Sequence, residues 1–337
     1  MSIARYVILR LSTAPILVIL LLTIAFIVLR ILPGNPVTVI LGPKANPTFV
    51  KKIEHELGLD KPLWIQYIDF LVNSFTGNFG ISYRWRIPVS DLIWPRLAAT
   101  VELTIYSSII AILLALGVAL LSAKFRIFDK FARFYTVATY AIPVFWLGLM
   151  LQLVFGIYLK WLPTTGRIDP TILLEHPLKP ITGLLTIDAL IEGNWPVFIN
   201  ALEHLILPAI TLGFVISGVM SRTLRQSLME VLFSDFVRAA RARGIPENRI
   251  LMKYGLRNAI IPFIIIAGLQ IALLLGGAVL TESTFSWPGL GTFLVESILA
   301  RDYNAVQAAI VIYAFIVVIV NTVVDIVYSL IDPRIRY

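Results

Sequence analysis

Six long apolar runs are the feature that most constrains how this chain can fold. A helix needs about 20 residues to cross about 30 Å of hydrocarbon, and runs of that length are typical of membrane proteins. The chain is 58% hydrophobic and only 14% charged, as such runs require. We therefore predict an all-α polytopic membrane protein with six transmembrane helices, near residues 11–31, 101–122, 136–159, 205–221, 260–281 and 306–329.

The first apolar run resembles a signal peptide because Arg5 and Arg10 precede it. It is longer than the apolar core of a signal peptide, however, and no A-x-A cleavage site follows it. We predict an uncleaved anchor helix. The fourth run is shorter than the others and contains Pro208, so the sequence alone does not fix where this span begins and ends.

The distribution of Lys and Arg predicts the orientation of the chain. Basic residues gather at the N-terminus, after the second run at 123–134, within 222–258 and at the C-terminus. The connections 160–204 and 282–305 instead carry more acidic than basic residues. By the positive-inside rule both termini are cytoplasmic and these two connections are external. The connection 32–99 is too long for the rule to apply.

Several function classes are excluded or disfavoured by composition and missing motifs. The formal net charge of +8 is explained by membrane orientation, so we predict no nucleic-acid partner. The absence of cysteine excludes disulfides and thiolate metal sites. Histidines 55, 176 and 204 are far apart, all in predicted external loops, and we predict no metal site. No Gly-Lys dipeptide occurs, so the chain has no Walker A loop and binds no nucleotide by that motif.

Ionisable residues within the apolar runs are few. Arg30, Glu102, Glu282 and Asp325 lie near the ends of the runs, where we expect interfacial positions that cost little. An ion-coupled pump generally needs carboxylates or broken helices at the midplane. The sequence shows neither feature clearly. If this chain is part of a transporter, we therefore expect the energy for transport to come from a source other than an ion bound at the midplane.

A basic segment at 234–258 predicts two helices joined by a tight turn. Ser234 is a candidate N-cap, Gly244 suits the left-handed position at a helix end, and Pro246 suits the first turn of the next helix. Spacings of three and four place Phe236, Ala239, Ala240 and Arg243 on one face, flanked by Arg238 and Arg241. That face either receives another protein, which the small alanines would let approach closely, or lies on anionic lipid headgroups.

The stretch "VRAARARGIPENRILMKYGLRNAIIP" resembles the EAA loop of ABC importer permeases. Ala239, Ala240 and Gly244 match the general loop, and Leu256 and Pro262 match positions near its end. Arg238, Tyr254 and Arg257 depart from the general pattern, as in the variant found in dipeptide and oligopeptide permeases. The stretches "ILPGNPV", "TESTFSWPGLGTF" and "NTVVDIVYSLIDPRIRY" are similar to the same family.

The resemblance implies the B-type permease of a type I ABC importer of the cytoplasmic membrane, with an N-terminal region 1–99 and a five-helix core 100–337. It implies four kinds of partner: a second, usually non-identical permease, two cytoplasmic ATP-binding subunits, an external solute-binding protein and membrane lipid. The chain itself would hold no cofactor and be no enzyme, since ATP and Mg²⁺ bind the partner subunits. Peptides are the expected cargo, with oligosaccharides, nickel or glutathione as alternatives.

The same resemblance makes 222–258 a cytoplasmic coupling loop that docks into an ATP-binding subunit. The residues that it assigns to this coupling are Asp235, Phe236, Arg238, Ala239, Ala240, Arg241 and Gly244.

Small residues spaced by four predict close helix packing. They lie on the fourth run at Gly213, Ser217 and Ser221, and on the fifth at Gly268, Ala272 and Gly276, beside the polar Gln270. These faces pack either within the chain or against a second permease around the solute path. The turn at Trp287, Pro288 and Gly289 is expected to be external and to close that path or meet the binding protein.

Two other classes stay open. An ion-coupled secondary transporter or channel would transport its solute alone and without nucleotide. A membrane scaffold would transport nothing in any combination of subunits.

Overall fold

The computed structural model describes residues 3–31, 48, 51, 54–55 and 58–331. The predicted turn after the first apolar run and the C-terminal motif from 332 onward lie outside these residues. Regular structure in the described part is helical, apart from a single β-bridge between Ile81 and Pro88. In chain order the helices are α1 Ile3–Ile31, α2 Leu63–Thr76, α3 Val89–Lys124, α4 Arg126–Ala141, α5 Val144–Leu151, α6 Pro170–Glu175, α7 Leu185–Glu192, α8 Trp195–Leu232, α9 Asp235–Ala242, α10 Glu247–Arg249, α11 Arg257–Gly277, α12 Val279–Thr284, α13 Leu290–Leu299 and α14 Tyr303–Ile331.

Five helical segments are long and apolar enough to cross a membrane: α1, α3, α8, α10 with α11, and α14. The sixth candidate is a bent pair, α4 with α5 and the π-helical stretch Gln152–Tyr158, which turns through 102°. The bend lies at Ile142 and Pro143, where Ile142 is extended. Proline disfavours helical geometry in the residue before it. Five of the six predicted spans are confirmed as helices long enough to cross a membrane, and the third corresponds to this bent pair rather than to a straight helix.

The fourth span is longer than its apolar run suggests. Helix α8 has 38 residues, begins after Asn194 and contains Pro208 in its interior. Asn200, Glu203 and His204 interrupt the sequence before the apolar run, and charged residues follow it, so both ends of α8 fall outside a window of continuous hydrophobicity. At 1.5 Å per residue α8 is about 57 Å long, and it is the longest of the described helices.

Helices α3 and α8 form the centre of the bundle. Ala111, Ala115 and Ala119 of α3 are fully buried at spacings of four. A Cβ added to Gly213 of α8 would lie 2.9 Å from the carbonyl oxygen of Ser107 on α3. The small residues therefore let the two backbones approach closely, as in other membrane helix pairs.

The first and last spans pack together in a second apolar cluster. Leu22 and Phe26 of α1 lie in it with Val311 of α14. An ion pair of 3.3 Å between Arg10 and Asp325 links the same two helices further along. The anchor helix thus shares its packing with the last span of the core.

The bundle has two ends that differ in chemistry. The loop end holds segments 160–194 and 278–302 together with the start of α3. The α9 end holds the end of α3, the end of α8, α9 and the start of α10. Helix α14 starts at the loop end, where Asp302 contacts the hairpin before α3, and runs toward the α9 end.

Candidate coupling surface and the loop end

Helix α9 forms where the basic segment predicts a short helix. It spans Asp235–Ala242 and is followed by Gly244 with φ of 76°. A Cβ added there would meet no atom within 4 Å, so only the left-handed backbone makes glycine necessary. Ser234 precedes the helix in an extended conformation, but its hydroxyl donates back to the Val231 carbonyl. The predicted side-chain cap is therefore wrong.

The second predicted helix is the beginning of the fifth span. Pro246 directly precedes α10, which runs on through the π-helical stretch Ile250–Leu256 into α11. The segment 222–258 thus consists of the last turns of α8, then α9, then the first turns of the fifth span. Helix α9 is therefore joined by short connections to both the fourth and the fifth span.

The two alanines of the motif face opposite ways. Val237 and Ala240 are buried in the same apolar cluster as Leu232 and Ile250. Phe236 and Ala239 are exposed, Phe236 by 47%. Successive helical residues are about 100° apart, so the predicted common face of both alanines is wrong. Ala240 anchors α9 to its own chain, and Ala239 lies on the outer face with Phe236.

The two flanking arginines also differ. Arg238 is 70% exposed and forms an ion pair of 3.5 Å with Asp235, itself 98% exposed. Arg241 is 40% exposed and contacts its own chain, donating from Nε to Glu247 at 2.7 Å and from Nη1 to the Leu232 carbonyl at 3.1 Å. The hydrogen bond with Glu247 raises the pKa of the Arg241 guanidinium above its usual value. The outer face of α9 therefore presents Phe236, Arg238, Ala239 and Arg243, with Asp235 at its start.

At the loop end, residues 99–102 of α3 form a hub for two distant segments. The Ala99 carbonyl accepts from the Trp287 indole at 2.9 Å, and the Thr100 hydroxyl accepts from the Leu290 amide at 2.8 Å. The Thr100 hydroxyl also donates to Glu282 at 2.6 Å. One turn of α3 thus fixes the segment 278–302.

Glu282 belongs to this segment and is fully buried beneath its later residues. Besides Thr100, the backbone amides of Gly291 and Thr292 donate to its carboxylate, at 2.7 and 3.0 Å. A Cβ on Gly289 would lie 2.2 Å from Glu282 Oε1, so glycine leaves the space that the carboxylate fills. Glu282 lies just beyond the end of the fifth span, as expected, but its carboxylate is enclosed by the loop instead of reaching solvent.

Glu102 is 1% exposed and attaches the segment 160–194. It accepts from Arg167 Nε at 2.8 Å and from the amide and hydroxyl of Thr186, each at 2.7 Å. Arg167 also donates to the Gly183 carbonyl at 2.9 Å. Glu102 likewise lies at the loop end but is enclosed by protein instead of reaching solvent. A charged residue beside an apolar run was its one sequence signal, and nothing in the sequence indicated Arg167 as its partner.

A third buried carboxylate, Asp188, organises the turn before α7. Burial by itself raises the pKa of its carboxyl group. Hydrogen bonds from the Thr182 side chain and from the backbone amides of Thr182, Gly183 and Ile181 outweigh burial and hold the pKa below its usual value. The segment 160–194 is therefore a hydrogen-bonded cap with a fixed conformation.

The predicted external turn lies at the loop end, but its aromatic residue is internal. Trp287 is fully buried and Gly289 is buried, while Pro288 is half-buried. Trp287 therefore has no surface to offer a binding protein. Its indole fastens the turn to α3 instead.

The small-residue faces pack within the chain where the structure shows their neighbours. Gly213 contacts α3, as described, and the Ser217 hydroxyl is hydrogen-bonded to that of Tyr135 on α4. A Cβ on Gly268 would lie 3.1 Å from the Val324 side chain of α14. Gln270 and Ala272 are half-buried on α11, and Gly276 lies near its end. No solute path is defined by these contacts.

Gly268 also borders an apolar groove with a volume of about 480 Å³ between α3, α11 and α14.

In the described ranges no group of three or more His, Asp or Glu side chains could hold a metal ion. His204 is buried in α8, with its Nδ1 2.8 Å from the Asn200 carbonyl, so its predicted loop position is wrong.

Comparison with known proteins places the chain among membrane transport components. Residues 91–337 match the family model described as "Binding-protein-dependent transport system inner membrane component". Residues 3–104 match the model of the N-terminal region of such membrane components. Together the two matches cover nearly the whole chain.

Individual relatives agree with that family. The chain is 40% identical over 316 residues to the dipeptide transport system permease protein DppB of Alkalihalophilus pseudofirmus, covering 93% of this chain and 94% of the relative. It is 41% identical over 317 residues to the di/tripeptide transport system permease protein DppB of Pseudomonas aeruginosa, with 93% of each covered. It is 36% identical over 316 residues to the glutathione transport system permease protein GsiC of Escherichia coli, again with 93% of each covered.

These matches confirm the resemblance carried by the sequence motifs. With its six candidate spans, the chain is a multi-pass protein of the cytoplasmic membrane. It belongs to the family of binding-protein-dependent transport system inner membrane components.

Proposed function

We propose that this chain is a permease subunit of an ATP-driven ABC importer that takes up di- and oligopeptides. The names of its relatives at 40% and 41% identity, which are dipeptide and di/tripeptide permeases, support the cargo. Glutathione is itself a tripeptide, so the glutathione permease among the relatives supports the same chemical class. Oligosaccharide or nickel import is the alternative within the importer class.

The outer face of α9 is the observation that carries the proposal. Phe236 and Ala239 offer an exposed aromatic group beside a small residue, while Val237 and Ala240 fix the opposite face to the bundle. A short helix that is anchored on one side and presents an aromatic residue and a small residue between charged ones on the other suits insertion into a cleft of another protein. The protein that supplies this cleft is a cytoplasmic ATP-binding subunit, which holds ATP and Mg²⁺.

The proposed orientation puts the α9 end in the cytoplasm and the loop end outside. The basic residues of 222–258 lie at the α9 end. Arg10 near the start of α1 pairs with Asp325 near the end of α14, so both described chain ends lie on one side of the bundle. The capped loop end would then face a solute-binding protein, and a second, non-identical permease would complete the path.

The mechanism follows from how α9 is connected. It joins α8 through Phe233 and Ser234, and it joins the fifth span through the Gly244 turn. When two ATP-binding subunits close on ATP, each moves its docked helix. The displacement passes to the fourth and fifth spans and switches the path between inward-open and outward-open arrangements.

Purification of the chain with its partners in mild detergent, followed by reconstitution, tests this function. We expect a complex with a second permease and two ATP-binding subunits, whose ATPase activity rises when a peptide-loaded binding protein is added. Peptide uptake should require ATP. Uptake by the isolated chain without nucleotide would contradict the proposal and favour an ion-coupled transporter.

A further inference from the structure

The Arg241 side chain connects three helices at the α9 end. Its Nε and Nη2 donate to the two carboxylate oxygens of Glu247, at 2.7 and 3.3 Å. Its Nη1 donates to the carbonyl of Leu232 at 3.1 Å. Arg241 belongs to α9, Glu247 opens the fifth span and Leu232 ends α8. One guanidinium group therefore joins α9 to both of its neighbouring spans.

This arrangement uses properties that distinguish arginine from lysine. The planar guanidinium presents five N–H donors in a fixed fork, which can bind both oxygens of a carboxylate and still reach a third acceptor. A lysine ammonium is a single flexible point charge and cannot hold two acceptors in fixed relative positions. The contacts of Arg241 therefore depend on its shape as well as on its charge.

The direction of these contacts argues against a role in docking. Three of the five donors of Arg241 point to acceptors within the chain. Arg238, on the same helix, is 70% exposed and has only a long ion pair with Asp235. A partner protein that approaches the outer face of α9 thus meets Arg238, whereas Arg241, which is 40% exposed, directs its donors to Glu247 and Leu232 of its own chain.

The remaining anchorage of α9 is small. Val237 and Ala240 are the buried side chains of this eight-residue helix. With only these two side chains packed against the bundle, the helix can tilt about them. A cavity of about 280 Å³ lies beside α9. It is lined by Ala123, Lys124, Phe125, Leu232, Arg241, Glu247, Asn248 and Leu251. A helix free to tilt into this space would absorb a displacement instead of passing it on.

We propose that Arg241 is a positioning residue that clamps α9 rigidly to the fourth and fifth spans, so that a displacement of α9 moves both. The clamp consists of Arg241, Glu247 and the Leu232 carbonyl. It rests on the proposed function, because the force that it transmits is the closure of the ATP-binding subunits. The clamp transmits a displacement within this chain, whereas the outer face of α9 contacts the ATP-binding subunit.

The test compares peptide transported per ATP hydrolysed in reconstituted complexes. Arg241→Lys keeps the charge but loses the fork, and Glu247→Gln weakens the clamp from its other side while leaving Arg241 unchanged. We expect this ratio to fall by about two- to fivefold in both variants, the range that the loss of a partly exposed ion pair supports. The exposed Arg249→Ala removes a positive charge from the same segment and should leave the ratio at the wild-type value.

A charge exchange gives a readout that a purely structural role would not produce. Arg241→Glu combined with Glu247→Arg restores the ion pair but not the bond to Leu232, so the ratio should recover in part relative to either single change. An unchanged ratio in Arg241→Lys and Glu247→Gln would overturn the proposal. So would loss of the ATP-binding subunit during purification in step with transport, because that outcome assigns Arg241 to docking.

Hydrogen exchange in the isolated chain tests the clamp independently of the transport function. The backbone amides of α9 should exchange faster in Arg241→Lys and in Glu247→Gln than in Arg249→Ala. Equal exchange in all three variants would overturn the clamp, whatever the chain transports. Faster exchange in a chain that assembles with no ATP-binding subunit would support the clamp and contradict the proposed function.

Discussion

The two ends of the bundle handle charge in opposite ways. At the loop end, Glu102, Asp188 and Glu282 are buried, and each accepts several hydrogen bonds, Glu102 and Glu282 from distant segments and Asp188 from the turn just before it. At the α9 end, Arg238 and Asp235 are exposed and only loosely paired. Buried charges must be satisfied within the fold because desolvation is costly. The difference suggests that charge at the loop end maintains the structure, while charge on the outer face of α9 remains available to a partner.

The largest expected effect is at the loop end. Arg167→Ala should lower the free energy of unfolding by about 3–5 kcal/mol, because it leaves the buried Glu102 carboxylate without its charged partner. Thermal and denaturant unfolding of the purified chain in detergent would measure this. Lys179→Ala removes an exposed basic residue from the same segment and should change stability by less than about 0.5 kcal/mol. Equal stability of the two variants would remove the contrast between the ends.

The next effect comes from the glycine that covers Glu282. Gly289→Ala should destabilise the chain by about 1–3 kcal/mol, since its Cβ would overlap the Glu282 carboxylate. Gly117→Ala is the matched control, because a Cβ at that position of α3 meets nothing within 4 Å. The control should be neutral or slightly stabilising in the same unfolding experiment. A harmless Gly289→Ala would show that the segment 278–302 is looser than its hydrogen bonds indicate.

A smaller effect on stability, with a larger effect on function, is expected at Gly244. Gly244→Val should cost about 1–2 kcal/mol, because a left-handed backbone is unfavourable for other residues and most of all for a β-branched one. Transport per ATP hydrolysed should fall, while insertion into the membrane remains normal. Gly244→Asn tolerates the left-handed conformation and should retain most of the coupling. Normally coupled transport by the valine variant would contradict the role given to α9.

The smallest effect on the fold is expected on the outer face of α9. Phe236→Ala should change the free energy of unfolding by less than about 0.5 kcal/mol, since the side chain is already 47% exposed. It should nevertheless reduce the amount of ATP-binding subunit that copurifies with the chain. Leu174→Ala, an exposed apolar change at the loop end, is the control for copurification. A large loss of stability in Phe236→Ala would mean that the two ends do not divide structure from docking.

The helix and turn of residues 235–244 were largely readable from the sequence. Gly244 marks the turn because its left-handed conformation is a local property of the backbone, whereas the cap at Ser234 and the common face of the two alanines were predicted wrongly. Which of Ala239 and Ala240 faces the bundle was not readable. That depends on where α8 and the fifth span lie, and a short helix rich in Ala and Arg has too few apolar residues to define its buried side.

The sequence by itself determined that this protein is helical, lies in a membrane and belongs to its transport family. Hydrophobic runs and motifs carry that information within windows of about 20 residues, over which desolvation of the backbone decides whether a helix can cross a bilayer. Only the tertiary structure decided that Glu102 and Glu282 are buried, that Arg241 binds Glu247 and the Leu232 carbonyl, and that Trp287 is an internal anchor. The contacts that attach the loop-end segments to α3 join residues far apart in sequence, Thr100 and Glu282 being separated by 182 positions. Burial of a charge depends on which distant segment folds over it, and no local pattern records that.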